Sequence, residues 1–212
     1  MANLVTLGRL LLLIVVVVLA YQPYSWWHVF NVGLLILVFA SDGIDGYVAR
    51  KRNEASVFGA VFDIAGDRIT ELSLWIVTAD LGLVPIWVPI VFVIRGSIVD
   101  AIRAAQVSTL HDSPFSMMQS SLGKWLVAGR FMRIFYAAVK GTAFCWLLLI
   151  APLVELTPGL WASWGWLLQL IATSLVYLSV VLCILRGLPV IVEFVYVEKD
   201  SLMPRFPHGK NN

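Results

Sequence analysis

Residues 42–67 read DGIDGYVARKRNEASVFGAVFDIAGD. The stretch sets four aspartates, Asp42, Asp45, Asp63 and Asp67, in or beside segments that are otherwise apolar. An ionised carboxylate at the centre of a bilayer costs about 2.5–3.5 kcal/mol on insertion scales, so four cost on the order of 10 kcal/mol before they repel one another. They need a cation. Asp42 and Asp45 are three residues apart and Asp63 and Asp67 four apart, so each pair shares one helical face. An antiparallel helical hairpin turning at Lys51–Ala55 brings Asp45 level with Asp63, and Asp42 level with Asp67. Gly46 and Gly59 lie near the same mirror line, where a missing side chain lets a helix or a ligand approach closely. Eight carboxylate oxygens with no His or Cys nearby suit a hard divalent cation, Mg²⁺ or Mn²⁺, rather than zinc.

Composition bounds the class. The chain has 212 residues, 60% of them hydrophobic and 13% charged, with a mean hydropathy of +0.87. Those are values for an all-α polytopic membrane protein and not for a soluble domain. Cys145 and Cys183 sit in separate apolar runs without metal-ligand spacing, so they read as buried small apolar residues. Six membrane helices are expected: about Leu4–Tyr21, Trp26–Arg50, Ser56–Thr78, Pro85–Gln106, one ending near Ile150, and Trp164–Leu185. The last is expected to stop at Arg186-Gly187-Leu188-Pro189. One transmembrane domain over residues 1–190 and a short cytoplasmic tail over residues 191–212 follow. The first run is read as a retained helix, since Arg9 lies inside it and no small-x-small cleavage site is evident.

With six spans both termini share a side. The turns near residues 21–27, 79–85 and 151–163 contain none of the 15 Lys and Arg residues, which places them outside and both termini in the cytoplasm. Tyr24, Trp26, Trp27, Trp87, Trp161, Trp164 and Trp166 gather at the outer ends as an aromatic belt. The aspartates then open to the cytoplasm, as expected of an integral protein of a bacterial inner membrane. The partners are lipids, and no nucleic acid is expected; a homodimer is admitted but not specified.

Asp42, Asp45, Gly46, Ala49, Arg50, Gly59, Asp63 and Asp67 fit the pattern D-x-x-D-G-x-x-A-R-x8-G-x-x-x-D-x-x-x-D without a miss. This is the signature of the CDP-alcohol phosphotransferases, and the chain resembles that family. The resemblance implies a six-helix membrane enzyme that moves a phosphatidyl group from CDP-diacylglycerol to an alcohol, with release of CMP. It implies that Asp42, Asp45, Asp63 and Asp67 hold Mg²⁺ or Mn²⁺ against the donor pyrophosphate, and that Asp67 is also the catalytic base. Asp45, Gly46, Ala49, Arg50, Gly59 and Asp63 would line the CDP site. The opening Asn3-Leu4-Val5-Thr6-Leu7-Gly8-Arg9 resembles the family's N-x-L-T-x-x-R start, with Val5 in place of Leu, and makes Asn3 and Thr6 donor contacts. Arg9 reads either as part of that opening or as an arginine snorkelling to the headgroups.

Arg95 lies deep in the fourth helix, where an arginine faces a polar cavity or a carboxylate. Arg103 follows eight residues later and serves either the same cavity or a pair with Asp100. The arrangement resembles phosphatidylglycerophosphate synthases and also enzymes using inositol phosphate. The segment Leu110–Gln119 reads as a polar loop, with His111 solvated. Both Ser121-Leu122-Gly123-Lys124 and Lys140-Gly141-Thr142 resemble the lysine elements of the synthases, so either Lys124 or Lys140 is the equivalent lysine. Arg133, Tyr136, Ala137 and Lys140 share a helical face that carries Lys140 towards the aspartates. A phosphorylated acceptor would therefore meet Arg95, Arg103, Lys124, Arg133, Lys140 and Arg186. The favoured acceptor is sn-glycerol 3-phosphate, with inositol phosphate as the alternative. A divalent-cation transporter would explain the aspartates but not the glycine, alanine and arginine spacing or the basic stripe.

Overall fold

The computed structural model describes residues 2–52, 57–110 and 124–202. Among the described residues all regular structure is helical: α1 (Ala2–Ala20), α2 (Trp27–Arg52), α3 (Val57–Asp80), α4 (Trp87–Leu110), a π-helical turn (Lys124–Ala128), α5 (Arg130–Ile150), a short α6 (Leu153–Leu156) and α7 (Pro158–Leu202). Six long helices thus cover the six expected apolar segments. Two stretches, Arg130–Leu156 and Pro158–Tyr196, are long and apolar enough to cross a membrane, and Leu4–Ala20 and Trp27–Ser41 are shorter apolar helical stretches. Each long helix turns large apolar side chains outward, among them Leu11, Ile36, Ile76, Ile94, Ile134 and Leu170. So extensive an apolar exterior suits a lipid surround and not water.

The order of packing brings the polar helices together. α1 lies against both α2 and α3, and α5 touches both of them as well. α3 packs on α4, while α7 closes the far side against α4 and α5. Residues 53–56 and 111–123, with His111 and the expected polar loop Leu110–Gln119 from its second residue on, lie outside the described residues.

An aromatic cluster ties the helices at mid-height. Trp75 is fully buried, with its ring centroid 4.6 Å from Phe92 of α4 and 4.4 Å from Phe144 of α5. Phe39 of α2 stacks on Phe144 from the other side, at 6.3 Å. Between α1 and α2, Asn31 donates from Nδ2 to the Val16 carbonyl at 3.0 Å, so a buried amide does what apolar packing cannot and fixes the register. Trp146 of α5 donates from Nε1 to the Leu168 carbonyl of α7 at 3.1 Å. At the end of the bundle remote from the aspartates, the Tyr21 hydroxyl donates to Asp80 Oδ2 at 2.7 Å. That bond raises the tyrosine above its ordinary pKa.

One expectation is corrected. The sixth helix does not stop at Arg186–Pro189: α7 runs through Pro189 to Leu202, 45 residues in all, roughly 68 Å at 1.5 Å per residue. Proline removes one backbone hydrogen bond, but lateral contacts hold the helix on both sides of it. Arg186 donates from Nη2 to the Val127 carbonyl at 3.2 Å, and Val190, Ile191 and Phe194 pack with Val99, Ile102 and Val127. Lys124 opens the π-helical turn, and Gly129 separates that turn from α5. Cys183 is buried and Cys145 half-buried, and both are free thiols, as the sequence suggests.

Trp75→Ala empties the aromatic cluster and should cost about 3–5 kcal/mol. Thermal unfolding in detergent should show a large fall for this variant and little change for Trp164→Ala, since Trp164 is 57% exposed.

Candidate active site

Asp63 and Asp67 occupy successive turns of α3, and both side chains are about half exposed. From α1, Arg9 reaches across to them. Its Nη1 lies 2.9 Å from Asp67 Oδ1, and its Nη2 lies 3.7 Å from Asp63 Oδ1. Arg9 is only 3% exposed, so it does not snorkel to the headgroups: it is the buried counter-charge of the pair. Gly66 permits this contact. A Cβ at that position would lie 2.7 Å from Arg9 Nη2 and 2.9 Å from Thr6 Cγ2, so a larger residue would displace the guanidinium and crowd Thr6. Thr6, expected beside the donor, is buried against this same turn of α3.

The other half of the acidic motif is placed only in part. Asp42, Asp45, Gly46, Ala49 and Arg50 lie within α2, and Asn3 within α1, but their side chains are outside the described ones. Gly59 lies in the first turn of α3, one turn before Asp63. Among the described residues no three His, Cys, Asp or Glu side chains converge. The described pair nevertheless fits a hard cation. Both residues offer carboxylate oxygens, and Asp63 Oδ1 is buried without a hydrogen-bond donor. Neither His nor thiolate competes.

One turn beyond Asp67, about 6 Å along the helix axis, α3 carries a second ionic cluster. Glu71 is 9% exposed, and its Oε1 accepts the Lys140 ammonium from α5, with the Tyr136 hydroxyl 3.5 Å away. Its Oε2 accepts Arg68 Nη1 at 3.0 Å. Arg68 then grips Asp100 of α4 with two parallel bonds, Nε to Oδ2 at 2.7 Å and Nη2 to Oδ1 at 2.9 Å. The network joins three helices. Lys140 does reach α3, as its helical face requires, but it meets Glu71 and not the aspartates. Asp100 is engaged by Arg68, and its charge also acts on Arg103.

Beside the network stands a group of arginines from three helices. Arg103 and Arg186 each feel the positive charge of Arg95 and Arg133. Arg186 is 7% exposed and lies over the Tyr136 ring, 5.3 Å from its centroid, while its Nε and Nη1 have no hydrogen-bond acceptor among the described residues. Arg95 Nε is likewise buried without an acceptor. Arg95 lies flat on α7 because residue 187 is glycine: a Cβ there would stand 2.8 Å from Arg95 Cγ and Nε. Arg133 is exposed on α5, and the Lys124 side chain is outside the described ones. Positive groups held together with unmet N–H donors are built to receive an anion, and planar guanidinium forks suit phosphate.

Arg9, Arg68, Glu71 and Asp100 were not among the expected site residues. A signal for Glu71 is present in the sequence, because Asp63, Asp67 and Glu71 continue one ladder at intervals of four.

Residues 1–197 match the family described as CDP-alcohol phosphatidyltransferase. Three curated relatives carry the name CDP-diacylglycerol–glycerol-3-phosphate 3-phosphatidyltransferase, the third with the suffix 2. The relative from Pseudomonas fluorescens is 30% identical over 103 residues, 48% of this chain and 53% of its own length. That from Bacillus subtilis (strain 168) is 27% identical over 119 residues, 50% of this chain and 62% of its own. That from Arabidopsis thaliana is 30% identical over 133 residues, 58% of this chain and 57% of its own. The chain thus spans between half and two thirds of the length of these three relatives.

Removing Glu71 leaves Lys140 without its counter-charge, a loss of about 3–5 kcal/mol, whereas removing Lys140 leaves Glu71 still paired with Arg68. Glu71→Leu should lower the unfolding temperature strongly and Lys140→Met by less, and the double variant should lose clearly less than their sum. Additive losses would show that the two residues are not coupled.

Proposed function

Because the chain belongs to the CDP-alcohol phosphatidyltransferase family, we propose that it transfers the phosphatidyl group of CDP-diacylglycerol to the hydroxyl of sn-glycerol 3-phosphate, giving phosphatidylglycerol phosphate and CMP. The observation that carries the acceptor assignment is the set of buried donors Arg95 Nε, Arg186 Nε and Arg186 Nη1, which have no acceptor among the described residues. Relatives named for the same reaction support it. A neutral acceptor would leave these cations without a partner. No feature of the site favours a cation pathway.

In this reading Asp42, Asp45, Asp63 and Asp67 hold Mg²⁺ or Mn²⁺, which neutralises the donor pyrophosphate and the departing CMP when bound. Asn3, Thr6, Gly46, Ala49, Arg50 and Gly59 line the nucleotide site. The small residues leave room for the cytidine, and Arg50 meets a donor phosphate. Arg95, Arg103, Arg133 and Arg186 orient the acceptor through its phosphate, with Lys124 at the entrance. Lys140 holds Glu71 and so the shape of that pocket. Asp67 takes the proton from the acceptor hydroxyl. The hydroxyl oxygen bonds to the lipid-side phosphorus as the phosphorus–oxygen bond to CMP breaks. Six spans, with both termini and the site on the cytoplasmic face, put the reaction where water-soluble phosphorylated acceptors are found.

The detergent-purified protein should release CMP from CDP-diacylglycerol when given glycerol 3-phosphate and Mg²⁺ or Mn²⁺, and chelator should abolish the release. Inositol 1-phosphate, inositol and serine should not substitute, and release with any of them alone would reassign the acceptor. Asp67→Asn should end turnover while CDP-diacylglycerol still binds, and normal turnover in that variant would remove the base role. Arg186→Gln should raise KM for glycerol 3-phosphate on the order of 10-fold or more, since a charge-assisted hydrogen bond contributes about 1.5–3 kcal/mol.

A further inference from the structure

Arg9 stands outside the acidic signature, yet it touches two of its four carboxylates. Three observations bear on its role. Its guanidinium is buried at 3% exposure, while the carboxylates it meets are half exposed on their other side. It approaches over Gly66, the residue flanked by Asp63 and Asp67, at a separation no side chain would allow. Its two terminal nitrogens face different aspartates, Nη1 at hydrogen-bond distance from Asp67, 2.9 Å, and Nη2 in a longer ion pair with Asp63, 3.7 Å, so one charge serves both turns of α3.

We propose that Arg9 is a positioning residue, a built-in cation that holds Asp63 and Asp67 together in the metal-free protein and fixes the oxygens they present for metal. The inference rests on the reading that these aspartates bind a divalent cation. A helix carrying two carboxylates one turn apart in an apolar bundle is destabilised by their repulsion and by desolvation of each. A divalent ion removes that strain when it is bound. Arg9 removes much of it beforehand, from the buried side, and leaves the exposed side of both residues for the metal. The fork geometry is essential, since a single ammonium makes one short contact where the guanidinium spans two partners.

The role separates from ordinary packing by its dependence on metal. A residue that merely joins α1 to α3 stabilises the protein equally with and without the ion. A surrogate cation matters most when the ion is absent, so its removal enlarges the stabilisation that metal confers. Thermal unfolding of the full detergent-purified chain in chelator and in saturating Mn²⁺ reads this directly. Arg9→Gln should lower the unfolding temperature in chelator by about 5 °C or more, and Mn²⁺ should restore most of the loss. The Mn²⁺-induced rise is then greater than in wild type.

Arg9→Lys should fall between the two, and Gly66→Ala, which displaces the guanidinium and keeps its charge, should shift in the same direction by less. These two variants serve as the test if Arg9→Gln yields no folded protein. Equal losses with and without Mn²⁺ across the variants would overturn the proposal while leaving the metal site intact. If wild type itself gains nothing from Mn²⁺, the metal reading falls, and the proposal with it.

Discussion

Carboxylates carried on apolar helices must meet positive charge at contact distance, and the described bundle is arranged to provide it. The requirement follows from solvation: a charge withdrawn from water without a partner costs several kcal/mol, more than any single packing contact returns. α3 carries three acidic side chains one turn apart, at Asp63, Asp67 and Glu71, so its neighbours are chosen by charge as well as by shape. α1 answers with Arg9, and α5 answers with Lys140. Arg68, on α3 itself, passes the charge on to Asp100 of α4. Each of these contacts also fixes how one helix stands beside another.

The pairing divides the interior into regions with different uses. Around Glu71 the charges are mutually satisfied, and the network links α3, α4 and α5 as a frame. Around Asp63 and Asp67 only the buried side is met by Arg9, and the other side stays half exposed. Around Arg95 and Arg186 the imbalance has the opposite sign, with buried N–H groups awaiting acceptors. An acidic face beside a basic one is what a transfer between two phosphate-bearing substrates requires. In the proposed function the acidic side recruits metal for the pyrophosphate, and the basic side recruits the acceptor phosphate directly. Gly66 and Gly187 sharpen both regions, because each lets an arginine lie against a helix backbone.

Much of this was legible in the sequence because it depends on periodicity. The six apolar segments, the shared face of Asp63 and Asp67, and the direction of Lys140 towards α3 all follow from 3.6 residues per turn. What could not be read was partner choice between helices distant in sequence. Nothing local tells that Arg9 turns inward to Asp67, fifty-eight positions on, or that Asp100 of α4 takes Arg68 of α3. Those outcomes depend on which helices touch and on where a glycine lets a long side chain lie flat. The expected stop at Pro189 failed for a related reason. A proline ends a helix that stands alone, but α7 is clasped by Val127 and α4 on either side of it.

The central claim is that the aspartates of α2 and α3 form one metal centre, held from behind by Arg9 and facing the arginines that receive the acceptor. A structure of the protein with Mn²⁺ and a CDP-linked lipid, with the metal located by its anomalous scattering, tests this most directly. The expected result is Mn²⁺ bound by Asp42, Asp45, Asp63 and Asp67 against the pyrophosphate, with Arg9 still on the buried side of Asp67. Manganese bound elsewhere, or a donor pyrophosphate seated away from the α3 carboxylates, would contradict it.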